Sequence, residues 1–490
     1  MSPYKQKYLN YINGQWCEPE LGQYFLNTSP INTQFVCEIP ESSIEDIDSA
    51  VSAARNAFKK FKMTSVTKRA NLLLEIANRI ENNLGMLAHI ESYDNGKPIR
   101  ETMLADLPLV VDHFRYFAGC LRAEEGSASR IDSFTMTYHL KEPIGVVGQI
   151  IPWNFPLLMA AWKLAPAIAA GCTVVLKPAE QTPVSILHMI ELIEDLIPAG
   201  VINIVNGYGE TAGSALASHP DINKLAFTGS TQIGHTVYQE AAKKMIPCTI
   251  ELGGKSPNIF LEDILEVGEE YLDKCVEGVL LAFFNQGEVC TCPSRLLIQE
   301  SIFDSFMAKV LRRASEIIQG NPMDMNTQVG SQVSEEQFDR ILNYIELGKQ
   351  EGAEVLLGGN GVKDNGYFVE PTILKGNNTM RIFQEEIFGP VISVTTFENI
   401  DEALQIANDS MYGLGAGVWT KNANHIHFLS DNIEAGRIWV NCYHAYPAHA
   451  AFGGYKQSGI GRETHKMMLS HYQQTKNIII SHSDSPLGLF

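Results

Sequence analysis

The sequence predicts an α/β protein built on parallel strands, and three observations predict it. Between Gly145 and Phe227 short apolar runs alternate with helical stretches, the signature of parallel βαβ units. A second α/β stretch follows, from a boundary near Thr249–Phe260 to about Gly454. The chain has 490 residues, 45% of them hydrophobic, enough for two or three domains with sizeable cores.

The elements read as follows. From Ser43 to about Arg122 the pattern is helical. Ser43 with Asp46 makes a capping box, and Ile47, Val51, Ala54 and Phe58 then fall at helical spacing. Asn95-Gly96-Lys97-Pro98 interrupts with turn chemistry. Alternation from Ser133 to Leu140 predicts a half-buried strand, with Phe134, Met136, Tyr138 and Leu140 on one side. Gly145–Ile151, Cys172–Leu176, Val201–Val205 and Leu225–Phe227 read as core strands, and Val184–Ile197 as a helix. A basic, glycine-rich tail, Gly453–Arg462, precedes a final helix and a strand at Thr475–Ser481. The two isolated strands read either as an appendage that pairs with another subunit or as a surface hairpin.

Composition excludes several functions. Acidic residues outnumber basic ones, 56 to 37, for a net charge of −19, which repels phosphate backbones and argues against DNA or RNA as main partner. The longest apolar stretch, Leu157–Ala170, is broken by Lys163 and Pro166, so no membrane span is expected. The N-terminus lacks the apolar core of a signal peptide. Nine cysteines are sparse and odd in number, which fits a reducing cytoplasm.

Five stretches carry chemistry. Asn206–Gly213 approaches a dinucleotide fingerprint but is one residue too long between its second and third glycines; a strand-to-helix turn is the simpler reading. Phe227-Thr228-Gly229-Ser230, running on to Gly234, ends a strand and opens a helix, whose free N–H groups suit a pyrophosphate or a simple cap. Lys177-Pro178-Ala179-Glu180 offers an ammonium and a carboxylate for a ribose, or a solvated pair. Cys290 stands after Phe283 and Phe284 as a nucleophile or a buried small residue. Glu251, followed by Leu252-Gly253-Gly254, is a general base if its surroundings are apolar. His444 and His449 match no standard zinc spacing, and no metal is expected.

Together these stretches resemble the aldehyde dehydrogenase superfamily over nearly the whole chain. Ile151-Pro152-Trp153-Asn154-Phe155-Pro156, Glu386-Ile387-Phe388-Gly389-Pro390 and Phe452-Gly453-Gly454-Tyr455-Lys456 complete the pattern. Asn285 to Arg295 and Asn441 to Ala450 are most similar to the bacterial acetaldehyde dehydrogenase group, with Glu288 where many members carry glutamine. The resemblance implies a Rossmann-like NAD-binding domain (1–122 and 143–250), an α/β catalytic domain (251–450) and oligomerisation strands (123–142 and 470–490) that make a homodimer or homotetramer. It implies Cys290 as nucleophile, Glu251 as base for the hydrolytic water, and the Asn154 amide with the Cys290 N–H as oxyanion hole. It implies cofactor contacts from Ile150, Trp153, Lys177, Glu180, Gly229, Ser230, Gly234, Leu252, Glu386 and Phe388. Phe155, Met159, Trp162, Phe284, Tyr446 and Phe452 would line the substrate tunnel.

Two features narrow the expectation. Glu180 at the ribose position accepts from two hydroxyls and repels a 2′-phosphate, favouring NAD over NADP. The aromatic, uncharged tunnel suits a small aliphatic aldehyde such as acetaldehyde; the same rings would hold the quaternary ammonium of betaine aldehyde. Glu251 argues against transfer of the acyl group to CoA, and Cys290, Asn154 and Glu251 together argue against a structural protein on this fold. Cys292 is either an inert neighbour or a reversible disulfide partner for Cys290.

Overall fold

The computed structural model describes residues 4–363 and 365–490. Two sheets form its centre. The first has eight strands, in the order Gln15–Cys17, Asn10–Ile12, Ile202–Ile204, Thr173–Lys177, Val146–Ile150, Lys224–Thr228, Cys248–Glu251 and Gly459–Ile460. Its five central strands are parallel. The chain lays down Val146–Ile150, steps outward through Thr173–Lys177 and Ile202–Ile204, then crosses back to Lys224–Thr228 on the other side. That reversal puts a topological switch point, where α/β sheets bind ligands, between Val146–Ile150 and Lys224–Thr228. All four core strands lie within two residues of their sequence positions, because strands covered on both faces are near-continuous apolar runs.

The second sheet runs Glu354–Leu357, Thr372–Lys375, Val391–Phe397, Arg295–Gln299, Pro257–Phe260, Gly415–Trp419, Arg437–Val440. Only Glu354–Leu357 is antiparallel to its neighbour. The strand Gly459–Ile460 returns the tail to the first sheet, beside Glu251.

The helical block is Ile44–Phe61, Val66–Asn82, Leu84–Asn95 and Leu107–Arg122. Ser43 and Asp46 form the capping box, and Ile47, Val51 and Ala54 are buried while Phe58 is half-buried. A π-helical turn, Thr102–Asp106, precedes the last of these helices. The apolar stretch predicted not to span a membrane is the helix Pro156–Ala170, buried along its whole length, with the Lys163 ammonium 2.8 Å from the Glu463 carboxylate. Among the described residues no helix is long and apolar enough to cross a membrane.

Four expectations need correction. The helix from Val184 stops at Ile193, not Ile197; the Leu196 N–H turns back to the Ile193 carbonyl, and Pro198 disfavours the helical conformation just before it. The helix expected before the last strand is a short 3₁₀ turn, Lys466–His471. The strand expected from Ser133 begins at Thr135, because the Asp132 carboxylate accepts the Phe134 and Thr135 N–H groups and makes a turn there. Its alternation is not half-buried either: Thr135–Pro143 pairs antiparallel with Gln473–Ser481, and cross-strand partners Met136 and Ile480 both face solvent. The segment before Ser43, unassigned from sequence, forms two short antiparallel ladders.

Candidate functional site

A cavity of about 240 Å³ opens between the two sheets. Residues just past the C-terminal ends of first-sheet strands line one side: Trp153 and Asn154 after Val146–Ile150, Gly229 and Ser230 after Lys224–Thr228, and Glu251 at the end of its strand. Facing them are residues just ahead of second-sheet strands: Cys290 before Arg295–Gln299, and Glu386 and Phe388 before Val391–Phe397.

The Cys290 loop is built on unusual backbone. Asn285, Gln286 and Gly287 are all left-handed, with φ of 48°, 43° and 74°. A Cβ on Gly287 would lie 2.0 Å from the Gly389 carbonyl oxygen, so only glycine fits. Buried hydrogen bonds hold the strained turn: the Asn285 N–H donates to the Glu101 carboxylate (2.8 Å), and the Asn285 amide donates to the carbonyls of Asn154 and Glu288. The Asn154 amide also donates to the Glu288 carbonyl, at 2.9 Å, which leaves its second N–H free. The backbone N–H of Cys290 has no hydrogen-bond partner among the described residues.

Burial dominates the electrostatics. It pushes the Cys290 thiol well up, and the Glu251 carboxyl pushes it further. Burial also raises Glu251 to about 8, against a smaller opposing effect of the thiol hydrogen bond and the Lys163 charge. Both groups are protonated at neutral pH and give up protons as pH rises.

On one side of the thiol Phe155 and Phe284 stack at 6.3 Å, and Trp162 meets Phe452 edge-on at 5.2 Å. Met159 lies with them in the wall. Tyr446 is held in a chain: it contacts the Thr291 hydroxyl, and its own hydroxyl lies 3.0 Å from His444 Nδ1. His444 Nε2 lies 3.0 Å from the Leu281 carbonyl, so that nitrogen carries the proton and Nδ1 accepts from Tyr446. Burial lowers His444 to about 4, which keeps the ring neutral.

On the other side Trp153 and Phe388 meet edge-on at 5.2 Å. Ser230 caps the helix Thr231–Lys244, accepting the Ile233 N–H. Glu386 accepts the Gly254 N–H at 3.1 Å; a Cβ on Gly253 would lie 2.1 Å from its other oxygen. Burial raises Glu386 to about 7. Lys177 and Glu180 pair at 3.1 Å at the end of Thr173–Lys177, outside the cavity wall. Burial pushes the Lys177 ammonium down, against the pull of Glu180.

A family model described as the aldehyde dehydrogenase family matches residues 16–478. The chain belongs to the aldehyde dehydrogenase family. It is 60% identical to a long-chain-aldehyde dehydrogenase of an Acinetobacter species and 58% identical to an acetaldehyde dehydrogenase of Pseudomonas aeruginosa, covering 99% of this chain and 97% of each relative. The solved NAD+ complex of a Bacillus cereus aldehyde dehydrogenase superposes with a TM-score of 0.95 at 39% identity, covering 99% of both chains.

Within this aldehyde dehydrogenase fold the cavity gathers Cys290, Glu251 and Asn154 with Trp153, Gly229, Ser230, Glu386, Phe388 and all six expected tunnel residues. It does not gather Ile150, Lys177, Glu180, Gly234 or Leu252. Ile150 ends its strand beside Lys177 and Phe227. Gly234 packs closely on Leu252, where a Cβ would lie 2.3 Å from that side chain. The Asn206–Gly213 stretch ends in a π-helical turn, Gly209–Gly213, and also stays outside. Cys292 points elsewhere, its thiol 3.3 Å from the Ala282 carbonyl, and both it and Cys290 are free. Sequence reasoning missed Gln337 and Arg340 in the wall, which donate to the carbonyls of Phe388 and Glu386. They sit on an ordinary amphipathic helix, Glu335–Gln350, with no motif to mark them. His444 was weighed only as a metal ligand; its place between aromatic residues was the available signal.

Proposed function

We propose that the protein oxidises uncharged aliphatic aldehydes, acetaldehyde among them, to carboxylic acids, with NAD as electron acceptor. One observation carries this reading: a single cavity holds a thiol, a carboxyl raised by burial and an anchored amide next to the strand ends of the topological switch point. The Cys290 sulfur attacks the aldehyde carbon, and its proton passes to ionised Glu251. The oxygen that gains charge is held by the free N–H of Asn154 and the N–H of Cys290. NAD, when bound, supplies the hydride acceptor. Loss of hydride from the Cys290 thiohemiacetal leaves a thioester. Glu251 gives up the thiol proton to solvent and, ionised again, takes a proton from water, the water oxygen bonds the acyl carbon, and the Cys290 sulfur leaves with its electron pair.

The residues present fit the dinucleotide. The N-terminus of Thr231–Lys244 at Ser230 suits a pyrophosphate, Lys177 and Glu180 an adenine ribose, Glu386 the second ribose, and Trp153 with Phe388 the nicotinamide side. Ile150, Gly234 and Leu252 support those contacts through the strand end and the close helix packing. We assign 1–122 and 143–250 to cofactor binding and 251–450 to catalysis on the same grounds. The exposed apolar side of the sheet 135–143/473–481 suits pairing with a second copy, and nine free cysteines suit a reducing cytoplasm.

Betaine aldehyde fits less well. The Arg437 guanidinium already sits 5.2 Å from the Phe452 ring and 5.7 Å from Tyr446, so a second cation at these rings meets like charge. The test is NADH or NADPH formation from acetaldehyde, benzaldehyde and betaine aldehyde. Acetaldehyde with NAD should be fastest, with kcat/KM for NAD at least about tenfold above NADP. Preference for betaine aldehyde would reassign the aromatic wall, and preference for NADP would refute the role of Glu180.

A further inference from the structure

Thr291, the residue after Cys290, is held from two directions by one loop. The Tyr443 hydroxyl donates to its carbonyl at 2.9 Å, and the Tyr446 hydroxyl contacts its side-chain hydroxyl. Thr291 is fully buried. A residue gripped at both carbonyl and side chain cannot turn about its backbone bonds without leaving a buried polar group unpaired. Its own N–H reaches the Cys290 sulfur, a hydrogen bond that favours the thiolate against the larger effect of burial.

The grip has a fixed direction. The Leu281 carbonyl only accepts, so His444 Nε2 carries the proton and Nδ1 accepts. The Tyr446 hydroxyl therefore gives its one proton to His444, 3.0 Å away, and its oxygen accepts from Thr291. Burial keeps the His444 ring neutral at neutral pH, so this order of donors holds there. The chain begins at Thr291 and ends at Leu281, which flank the left-handed turn Asn285–Gly287, and it staples the nucleophile loop across that turn. His444 itself stands at φ 56°, a left-handed conformation that a non-glycine residue keeps only where its surroundings hold it. Arg437 contributes to that hold, donating to the Ala445 carbonyl between His444 and Tyr446 at 3.2 Å. The Tyr446 ring lines the cavity, but among the described residues its hydroxyl bonds only Thr291 and His444. A phenylalanine would make the same wall and lack the staple.

We propose that Tyr446, oriented by His444, is a positioning residue for the nucleophile: its hydroxyl holds Thr291 so that the Thr291 N–H stays aimed at the Cys290 sulfur. This rests on Cys290 as the nucleophile of the function proposed above, and it gives Tyr446 a part in the reaction besides its part in the wall.

The experiment measures kcat and KM for acetaldehyde with NAD, and the rate at which iodoacetamide alkylates Cys290, followed on the Cys290 peptide by mass. Tyr446→Phe and Thr291→Val should each lower kcat and the alkylation rate about tenfold and leave KM within about twofold. The double variant should be no slower than the slower single one, because both changes remove the same contact. His444→Gln should stay within about twofold of wild type, since its amide donates to the Leu281 carbonyl and accepts from Tyr446, whereas His444→Leu should fall about tenfold. Wild-type kcat and alkylation in Tyr446→Phe would overturn the proposal, as would losses that multiply in the double variant. A lower kcat with unchanged alkylation would overturn it too, because the hydroxyl would then act elsewhere than on the sulfur. Cys290→Ala run beside them separates the two readings: turnover that survives this change overturns the proposed function, whereas turnover that is lost leaves that function standing whatever Tyr446→Phe does.

Discussion

The two sheets meet at one cavity from opposite ends. The first offers the C-terminal ends of its strands, as open α/β sheets do for their ligands: Trp153, Ser230 and Glu251 all follow or close a parallel strand. The second offers the opposite ends: Gly253 precedes Pro257–Phe260, Cys290 precedes Arg295–Gln299, and Glu386 precedes Val391–Phe397. Even its last loop folds back, with Arg437, at the start of Arg437–Val440, holding the carbonyls of Ala445, Ala450 and Ala451. The difference is one of construction. Strand C-termini come with helix N-termini and their positive dipole ends, which suit a cofactor's phosphates. The N-terminal ends lack that field, and the chain there builds its chemistry from strained loops and buried carboxyls.

The sharpest way to break this comparison is Cys290→Ala. Product formation should fall at least about 10⁴-fold, while NAD affinity measured by calorimetry stays within about twofold. A matching loss of NAD affinity would mean that the two ends do not divide the labour.

Glu251→Gln comes next, with a loss of about 10³-fold in kcat. Glu251 closes a first-sheet strand yet is the base of the proposed reaction, so it tests whether the division follows the sheet or the distance from the thiol. Because burial lifts its carboxyl to about 8, the active ionised form grows as pH rises toward that value. Wild-type kcat should therefore climb from pH 6 through that value and level off about a unit above it, and the variant should lose that limb and accumulate acylated Cys290, seen by intact mass. A limb that persists in the variant would assign the titration to another group.

The same contrast explains what was legible in the sequence. The first sheet could be read directly, since Val146–Ile150 and Thr173–Lys177 are apolar runs bounded by Gly and Pro, and the strand-to-helix turn at Gly229-Ser230 follows a general rule. The second sheet's contributions follow no such rule. Cys290 by spacing alone reads first as a buried small residue, and only the resemblance of its surroundings singles it out. Gln337 and Arg340 gave no sign, because what matters about them is which carbonyls they reach across the fold. The short ladders before Ser43 were missed because strands of three to six residues with one exposed side leave little periodicity. The appendage misled on burial, since an exposed apolar alternation looks the same in sequence as a covered one.

The smallest effect expected is the most discriminating for the loop-built side. Glu288, two residues before Cys290, is fully buried, with Val333 N–H donating to one oxygen at 3.1 Å and Gln286 Nε2 lying 3.2 Å from the other. Burial holds its carboxyl well above the usual range, more than those hydrogen bonds and the Lys97 charge lower it. Burial thus favours its neutral acid form, whose O–H needs an acceptor. Gln286 Oε1 is buried without a partner, and turning that amide over supplies the acceptor at no cost in packing. A neutral carboxylic acid with one donor and one acceptor is close to a glutamine in shape and hydrogen bonding. Glu288→Gln should accordingly keep kcat within about twofold and leave the thermal midpoint nearly unchanged, whereas Glu288→Ala strands the Val333 N–H and should cost about 1–3 kcal/mol of stability. A tenfold loss of kcat in Glu288→Gln with an unchanged thermal midpoint would show that the loop uses an ionised carboxylate, and the contrast between a dipole-built and a loop-built half would then have to include a buried charge on the catalytic side.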